Sequence, residues 1–148
     1  MQFDVSCYNF HALIPEDVYA ILRLRSEVFV VEQNCIFLDA DDRDQQCDHV
    51  LIKKGATLVS CSRLVPPGLI YEEMSIGRVV THPSVRGMGV GKLLMEKSLQ
   101  LIFEKYGQGP VKIGAQYYLK RFYESFGFVQ CGPIYDEDGI DHIPMLRA

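Results

Sequence analysis

The run Ile76-Gly77-Arg78-Val79-Val80-Thr81-His82-Pro83-Ser84-Val85-Arg86-Gly87-Met88-Gly89-Val90-Gly91-Lys92-Leu93-Leu94 leaves few architectures open to a chain that carries it. A β-branched strand enters a turn, the turn reads Arg-Gly-x-Gly-x-Gly, and an amphipathic helix follows. Glycine has no Cβ, so its backbone can turn N–H groups inward and let a ligand approach closely. N–H groups at the start of a helix lack intrahelical partners, and the helix dipole favours an anion there. Such a unit can be a plain connector, but with Arg86 and Lys92 on either side it suits a phosphate.

The spacing excludes the two common nucleotide motifs. A dinucleotide fingerprint needs Gly-x-Gly-x-x-Gly, whereas the third position after Gly89 is Lys92. A P-loop needs Gly five residues before its Gly-Lys pair and Ser or Thr after it, where this chain has Arg86 and Leu93.

With 148 residues, 48% of them apolar and 23% charged, the chain is expected to form one globular domain with a substantial core. The net charge of −4 and the lack of any Lys/Arg run argue against nucleic acid as a partner. No apolar stretch reaches membrane-spanning length, and Met1-Gln2-Phe3-Asp4 has neither the basic nor the apolar region of a signal peptide. A cytoplasmic location and no membrane partner are therefore expected. Five cysteines (Cys7, Cys35, Cys47, Cys61, Cys131) without a Cys-x-x-Cys pair read as reduced, mostly buried thiols. His11, His49, His82 and His142 show no ligand spacing, so no metal site is expected.

Local patterns predict the elements. Phe3 to Tyr8 suits a strand. Pro15, with Glu16 and Asp17 after it, opens a helix whose apolar face (Val18, Ile21, Leu22, Val28, Phe29) runs to about Val30. Asn34 to Gln46 is an acidic loop that lacks the Gly and terminal Glu of a calcium-binding EF-hand loop; a solvated loop or acceptor-site wall is expected instead. His49–Lys53 and Thr57–Val65 form a hairpin through Lys54-Gly55, and Pro66-Pro67-Gly68 breaks the second strand. Met74–Thr81 is expected as a central strand buried on both faces. The helix after the glycine turn carries Leu94, Met95, Leu99, Ile102 and Tyr106 on one side and ends at Gly107-Gln108-Gly109-Pro110. A strand over Val111–Ala115, a short helix over Tyr118–Phe126, a strand over Phe128–Tyr135 and a last strand from Gly139 through Leu146 complete a β-α-β-β-β-α-β-α-β-β order.

Three blocks of this chain resemble the GNAT (GCN5-related N-acetyltransferase) superfamily. The turn matches its Gln/Arg-x-x-Gly-x-Gly/Ala motif, with Arg86, Gly89 and Gly91 in register. Gln116 to Phe128 is similar to the family's block ending in Phe-Tyr-x-x-x-Gly-Phe. Leu24 to Cys35, with Asp39, Asp42 and His49 downstream and Tyr135 to His142 near the end, resembles the ElaA-like branch. The resemblance spans essentially the whole chain. It implies an α/β (α+β) fold, a single domain over residues 1–148 with a mixed central sheet of about seven strands flanked by helices, and a homodimer is compatible with it.

It also implies an acetyl-CoA-dependent N-acetyltransferase that moves an acetyl group to a primary amine by direct transfer in a ternary complex. No cysteine stands beside a recognisable base, which argues against a covalent acyl-cysteine. Cofactor contacts then fall to the backbone of Val79, Val80 and Thr81, which in relatives pairs with the pantetheine arm and offers an N–H to the thioester carbonyl. They fall also to the N–H groups of Gly87, Met88, Gly89, Val90, Gly91 and Lys92 around the pyrophosphate, with Arg86 beside them. Gln116 stands where many relatives place an Asn that touches the pantetheine arm. Tyr123 is the expected proton donor to the leaving thiolate, since a phenol near pKa 10 is a weaker acid than a thiol; packing its ring is the other reading. Glu32 is the expected base, with Glu73, His49 and His142 as chemically suitable alternatives. Arg25 and Arg63 either bind a substrate carboxylate or phosphate or neutralise Glu32 and the acidic loop. The acidic surroundings Glu32, Asp39, Asp42 and Asp44 lean toward a cationic acceptor such as a polyamine, aminoglycoside or lysine. A non-catalytic acyl-CoA-binding regulatory module is the alternative function, and a nucleotide-binding switch is disfavoured by both failed motifs.

Overall fold

A computed structural model describes residues 2–148. Its first sheet is antiparallel in the order β1 (Asp4–Asn9), β2 (Asp48–Lys54), β3 (Thr57–Val65), β4 (Ser75–Thr81). The hairpin between β2 and β3 turns at Gly55, whose φ of +64° is open to glycine at little cost. The second sheet sets β8 (Ile140–Arg147) between β5 (Val111–Gln116) on one edge and β6 (Val129–Gln130) and β7 (Tyr135–Glu137) on the other. The expected strand over Phe128–Tyr135 is thus two short pieces, because Gly132-Pro133 interrupts the ladder.

The expected single central sheet is split. β4 and β5 meet only at a parallel bridge between Met74 and Val111, where the Lys112 N–H donates to the Met74 carbonyl at 3.0 Å. Beyond that point the strands diverge. β4 is accordingly an edge strand of the first sheet rather than a doubly buried one, and Gly77, Arg78 and Val79 are only half buried. The cause is a β-bulge. Cys61 pairs with Val80 and Arg63 with Gly77, so Arg78 and Val79 together face Ser62. Arg78 takes a left-handed φ of +48° to absorb the extra residue, and the strand bends away from its neighbour.

Helix α2 (Val90–Tyr106) lies over the junction of the two sheets and buries Val90, Leu94, Met95, Leu99 and Ile102 with Val50, Ile52, Leu64, Ile113, Phe128, Ile143 and Met145. α1 (Pro15–Arg25) starts with Pro at its first turn and packs Ile21 and Leu24 on Leu51, Leu58, Cys61 and Val80. Each such aliphatic side chain contributes about 1.5–3 kcal/mol on burial. The helix then widens to π geometry over Ser26–Glu32, with Gln33 N–H donating to the Val28 carbonyl at 3.0 Å. The expected short helix after β5 is a 3-10 turn over Tyr117–Leu119 followed by α3 (Lys120–Glu124). No helix of the described residues is long and apolar enough to cross a membrane.

The acidic loop departs most from expectation. Its carboxylates fold inward onto three arginines. Arg25, 1% exposed, donates from Nε to Asp39 Oδ2 at 2.6 Å and from Nη1 to Asp44 Oδ1 at 2.9 Å. Arg63 donates to both oxygens of Asp41, at 2.8 and 2.6 Å, and to Asp44 Oδ1 at 2.9 Å. The buried His49 ring donates from Nε2 to the Asp44 carbonyl at 2.9 Å, so it anchors this loop. Burial alone would raise the Asp41 and Asp44 carboxyls, but hydrogen bonds and charge from Arg63 and Arg25 outweigh it and hold both below the usual carboxylate range.

Breaking this network from one side leaves charges buried without partners. Arg63→Met is expected to cost roughly 3–5 kcal/mol in urea unfolding. A carboxyl with a lower pKa folded than unfolded stabilises the protein above its unfolded value, near 3.9 for Asp, and loses that contribution as pH falls through the folded value. The wild-type melting temperature should therefore fall progressively below about pH 4, and a flat profile from pH 5 to pH 2 would contradict this electrostatic account.

Candidate active site

The divergence of β4 from β5 opens a groove of about 1110 Å³ through the middle of the molecule. Its walls are the π-helical segment on one side and β5, α3 and the β7–β8 turn on the other. Val79, Val80, Thr81, Arg86, Gly87, Gly89, Val90, Gly91, Lys92, Gln116, Tyr123 and Glu32 all line it. Of the residues the sequence singled out for cofactor contact, Met88 alone does not, and its side chain is 46% exposed. Any part Met88 plays is therefore through its backbone.

At one end lies the glycine turn. Gly87 and Gly89 adopt φ of +81° and +78°, which only glycine takes without strain, and a Cβ on either would point into open space. Gly89 caps α2 without a side-chain hydrogen bond, and the first α-helical bond runs from Leu93 N–H to its carbonyl at 3.0 Å. The N–H groups of Val90, Gly91 and Lys92 consequently have no intrahelical acceptor and sit at the positive end of a 17-residue helix. This cradle fits a diphosphate. Lys92 keeps its side chain in solvent within reach.

Arg86 is engaged by Glu32. Its Nη1 and Nη2 donate to Glu32 Oε2 and Oε1 at 2.5 and 2.7 Å, while Nε reaches the Thr81 carbonyl at 3.3 Å. Hydrogen bonding to Arg86 draws the Glu32 carboxyl below its ordinary pKa, which makes it a poorer base than expected from sequence. A second contact, His82 Nε2 to Glu27 Oε2 at 3.4 Å, ties the same π segment to the same turn.

Tyr123 sits deeper in the groove, 7% exposed, between Phe122 and Phe128 with ring centroids 5.2 and 6.1 Å away. Burial pushes its phenol well above the usual value, so it stays protonated and able to donate. Gln116 spans the groove: its amide and that of Gln33 donate to each other at 3.2 and 3.4 Å. Gln33 drew no role from the sequence. The π turn that carries it could not be foreseen from a plain helical period.

The far end is built from β8 and its hairpin. His142 lines the groove and its Nδ1 lies 2.8 Å from the Ile140 carbonyl. A carbonyl only accepts, so Nδ1 carries a proton and Nε2 is the nitrogen left to face Glu137 Oε2 at 3.2 Å. Tyr135 stacks beside it, 5.8 Å between centroids. Glu73 is not on the groove. Cys35 lines the groove with its thiol donating to the Asp138 carbonyl at 3.3 Å, and burial pushes the Cys61 thiol up to about 12, so that thiol is a poor nucleophile. All five cysteines are free.

Ion pairs take up most of the acidic groups behind the lean toward a cationic acceptor. Asp39 and Asp44 are buried against arginines and the exposed Glu32 holds Arg86; of the four, Asp42 alone has no ion-pair partner among the described residues.

Comparison with known proteins agrees with this architecture. Residues 37–147 match the acetyltransferase (GNAT) domain family. Protein ElaA of Escherichia coli is 43% identical over 137 residues, covering 91% of this chain and 90% of its own. A UPF0039 protein of Synechocystis is 40% identical over 99% of this chain and 96% of its own. Among solved structures, an acyl-CoA N-acyltransferase from Pseudomonas aeruginosa superposes with a TM-score of 0.94 at 36% identity, over 99% of this chain and 100% of that one. The crystal structure of E. coli ElaA superposes with a TM-score of 0.93 at 38% identity over the same shares.

Two substitutions probe the turn. Glu32→Gln frees Arg86 and removes a like charge from the diphosphate's approach, so coenzyme A binding by calorimetry should tighten by a few fold at low salt, the scale of an exposed pair. Gly89→Ala forces a Cβ onto a left-handed backbone and should weaken binding by about tenfold or more; unchanged affinity in both would detach the turn from the cofactor.

Proposed function

The chain belongs to the GNAT acetyltransferase family, in its ElaA-like branch, and on that premise we propose that it transfers an acetyl group from acetyl-CoA to a primary amine, directly, in a ternary complex. One observation carries the reading: past Met74 the edge of β4 facing β5 has no ladder partner among the described residues, and it lines the same groove as the glycine turn and Tyr123. An unpaired strand edge can accept an extended amide chain as an added strand.

Bound acetyl-CoA would supply the acetyl thioester. The N–H groups of Gly87 to Lys92 and the guanidinium of Arg86 hold the diphosphate, and the backbone of Val79, Val80 and Thr81 aligns the pantetheine arm. A β4 N–H beside the bulge polarises the thioester carbonyl, where charge develops during attack. Tyr123 Oη gives its proton to the departing sulfur; the raised pKa keeps that proton in place until the sulfur becomes basic. Of the alternatives for the base, His142 is on the groove and Glu73 and His49 are not, while Glu32 is tied to Arg86. The Glu137–His142 pair takes the amine proton as a unit: Nδ1 donates to Ile140, and the arriving proton is held between Nε2 and the Glu137 carboxylate that faces it.

The purified chain should release free thiol from acetyl-CoA when given an amine panel. Tyr123→Phe is expected to lower kcat about 10²-fold with acetyl-CoA affinity retained, and His142→Gln to lower it on a similar scale. Affinity for coenzyme A without thiol release across a broad panel would leave the non-catalytic binding module.

A further inference from the structure

The buried arginine–aspartate cluster reaches the groove through Asp41, Arg63 and Arg78, and its partners are unevenly shared. Three buried side-chain polar atoms among the described residues lack a hydrogen bond, and all belong to it: Asp39 Oδ1, Arg63 Nε and Arg78 Nε. Buried polar atoms are nearly always satisfied, so three orphans in one place call for an explanation.

Arg25 and Arg63 take the well-aimed positions on Asp39, Asp41 and Asp44. Arg78 receives the remainder. Its Nε stands 2.9 Å from Asp39 Oδ1 at an angle that makes no hydrogen bond, and its Nη2 reaches the Asp39 carbonyl at 3.0 Å and Asp41 Oδ2 at 3.5 Å. Nη1 has no partner among the described residues. Burial and the nearby charge of Arg63 make this guanidinium harder to keep protonated than an ordinary one, as expected of a cation short of counter-charge. A quarter of the side chain remains exposed, on the groove, with Arg43 alongside. Across the groove stand Glu137 and His142.

We propose that Arg78 binds a carboxylate of the acceptor, so that the substrate is an amino carboxylic acid with its amine and carboxylate only a few bonds apart. This deepens the N-acetyltransferase reading and rests on it. Arg78 and Val79, the latter on the strand assigned to the thioester, line the same groove, so the anionic group and the attacking nitrogen share one cavity. With Nε and Nη2 turned to Asp39 and Asp41, Nη1 is the donor left to meet a carboxylate oxygen. The amine then faces the Glu137–His142 pair, which favours a cation on arrival and accepts its proton.

The test uses the full chain with acetyl-CoA and matched pairs, α-amino and short ω-amino acids against their carboxamides, read by thiol release. The carboxylates should be preferred in kcat/KM by about tenfold or more. Arg78→Gln should bring that ratio close to one, and Arg78→Lys should restore part of it. Calorimetry with acetyl-CoA on each protein shows whether the fold and cofactor end persist. If the variants do not fold, the wild-type ratio decides alone. Equal rates, preference for the carboxamide, or no turnover of any carboxylate with acetyl-CoA binding intact overturns the inference and leaves the transferase reading standing; no acetyl-CoA binding overturns that reading itself.

Discussion

One parallel contact, Met74 against Val111, holds the two sheets edge to edge, and the strands separate immediately after it. The groove follows from that single bridge. A continuous sheet would have satisfied the backbone of β4 and β5 internally and left no groove. The bulge at Arg78–Val79 prevents it by inserting one residue that β3 cannot match. Its cost is a non-glycine residue in the left-handed region, a strain of order 1–2 kcal/mol. The core behind it compensates: Val50, Leu94, Met95 and Ile143 are completely buried and brace both sheets from one side.

The buried charges show a second design. Six ionisable side chains, three arginines and three aspartates, lie under the groove where aliphatic residues would pack at least as stably. Their arrangement pins the loop from Phe37 to Gln46 against β3 and β4, which gives the acceptor end a fixed wall where a mobile loop would stand. The same electrostatics separates the two ends of the groove. Arg86 and the α2 N-terminus create positive potential at the phosphate end, and Glu32 holds Arg86 in a defined orientation across from it. The π segment carries Glu27, Glu32 and Gln33 to three different partners on the opposite walls, His82, Arg86 and Gln116. A widened helical turn lets neighbouring residues share one face, which an α-helix would distribute around its axis.

Much of this was legible beforehand. The glycine turn, its flanking strand and helix, and the Phe122-Tyr123 block were recognisable because each depends on local chemistry: backbone freedom at Gly87 and Gly89, free N–H groups, an apolar helical stripe. Hairpin β2–β3 and the boundaries of α2 followed from the same kind of signal. Errors arose where a side chain's partner lies far along the chain. Neutralisation of the acidic loop by Arg25 and Arg63 is one of the sequence alternatives and is what the structure shows; the burial of Asp39 and Asp44 that comes with it depends on partners 14 to 19 residues away. Arg78 was absorbed into an apolar strand; a charged residue in the middle of such a run was the available signal. Glu32 is tied up by Arg86, 54 residues distant, a pairing no local pattern reveals.

By itself the sequence determined the order of the main elements, the glycine turn before α2 and the family they belong to, since these rest on periodicity and on backbone requirements within a few residues. The tertiary structure alone decided where β4 leaves β5, which carboxylates are neutralised, and which of several candidate bases faces the groove. Those outcomes depend on pairing and burial between segments distant in sequence, and no local pattern encodes the distance between two side chains that meet only when the chain is folded.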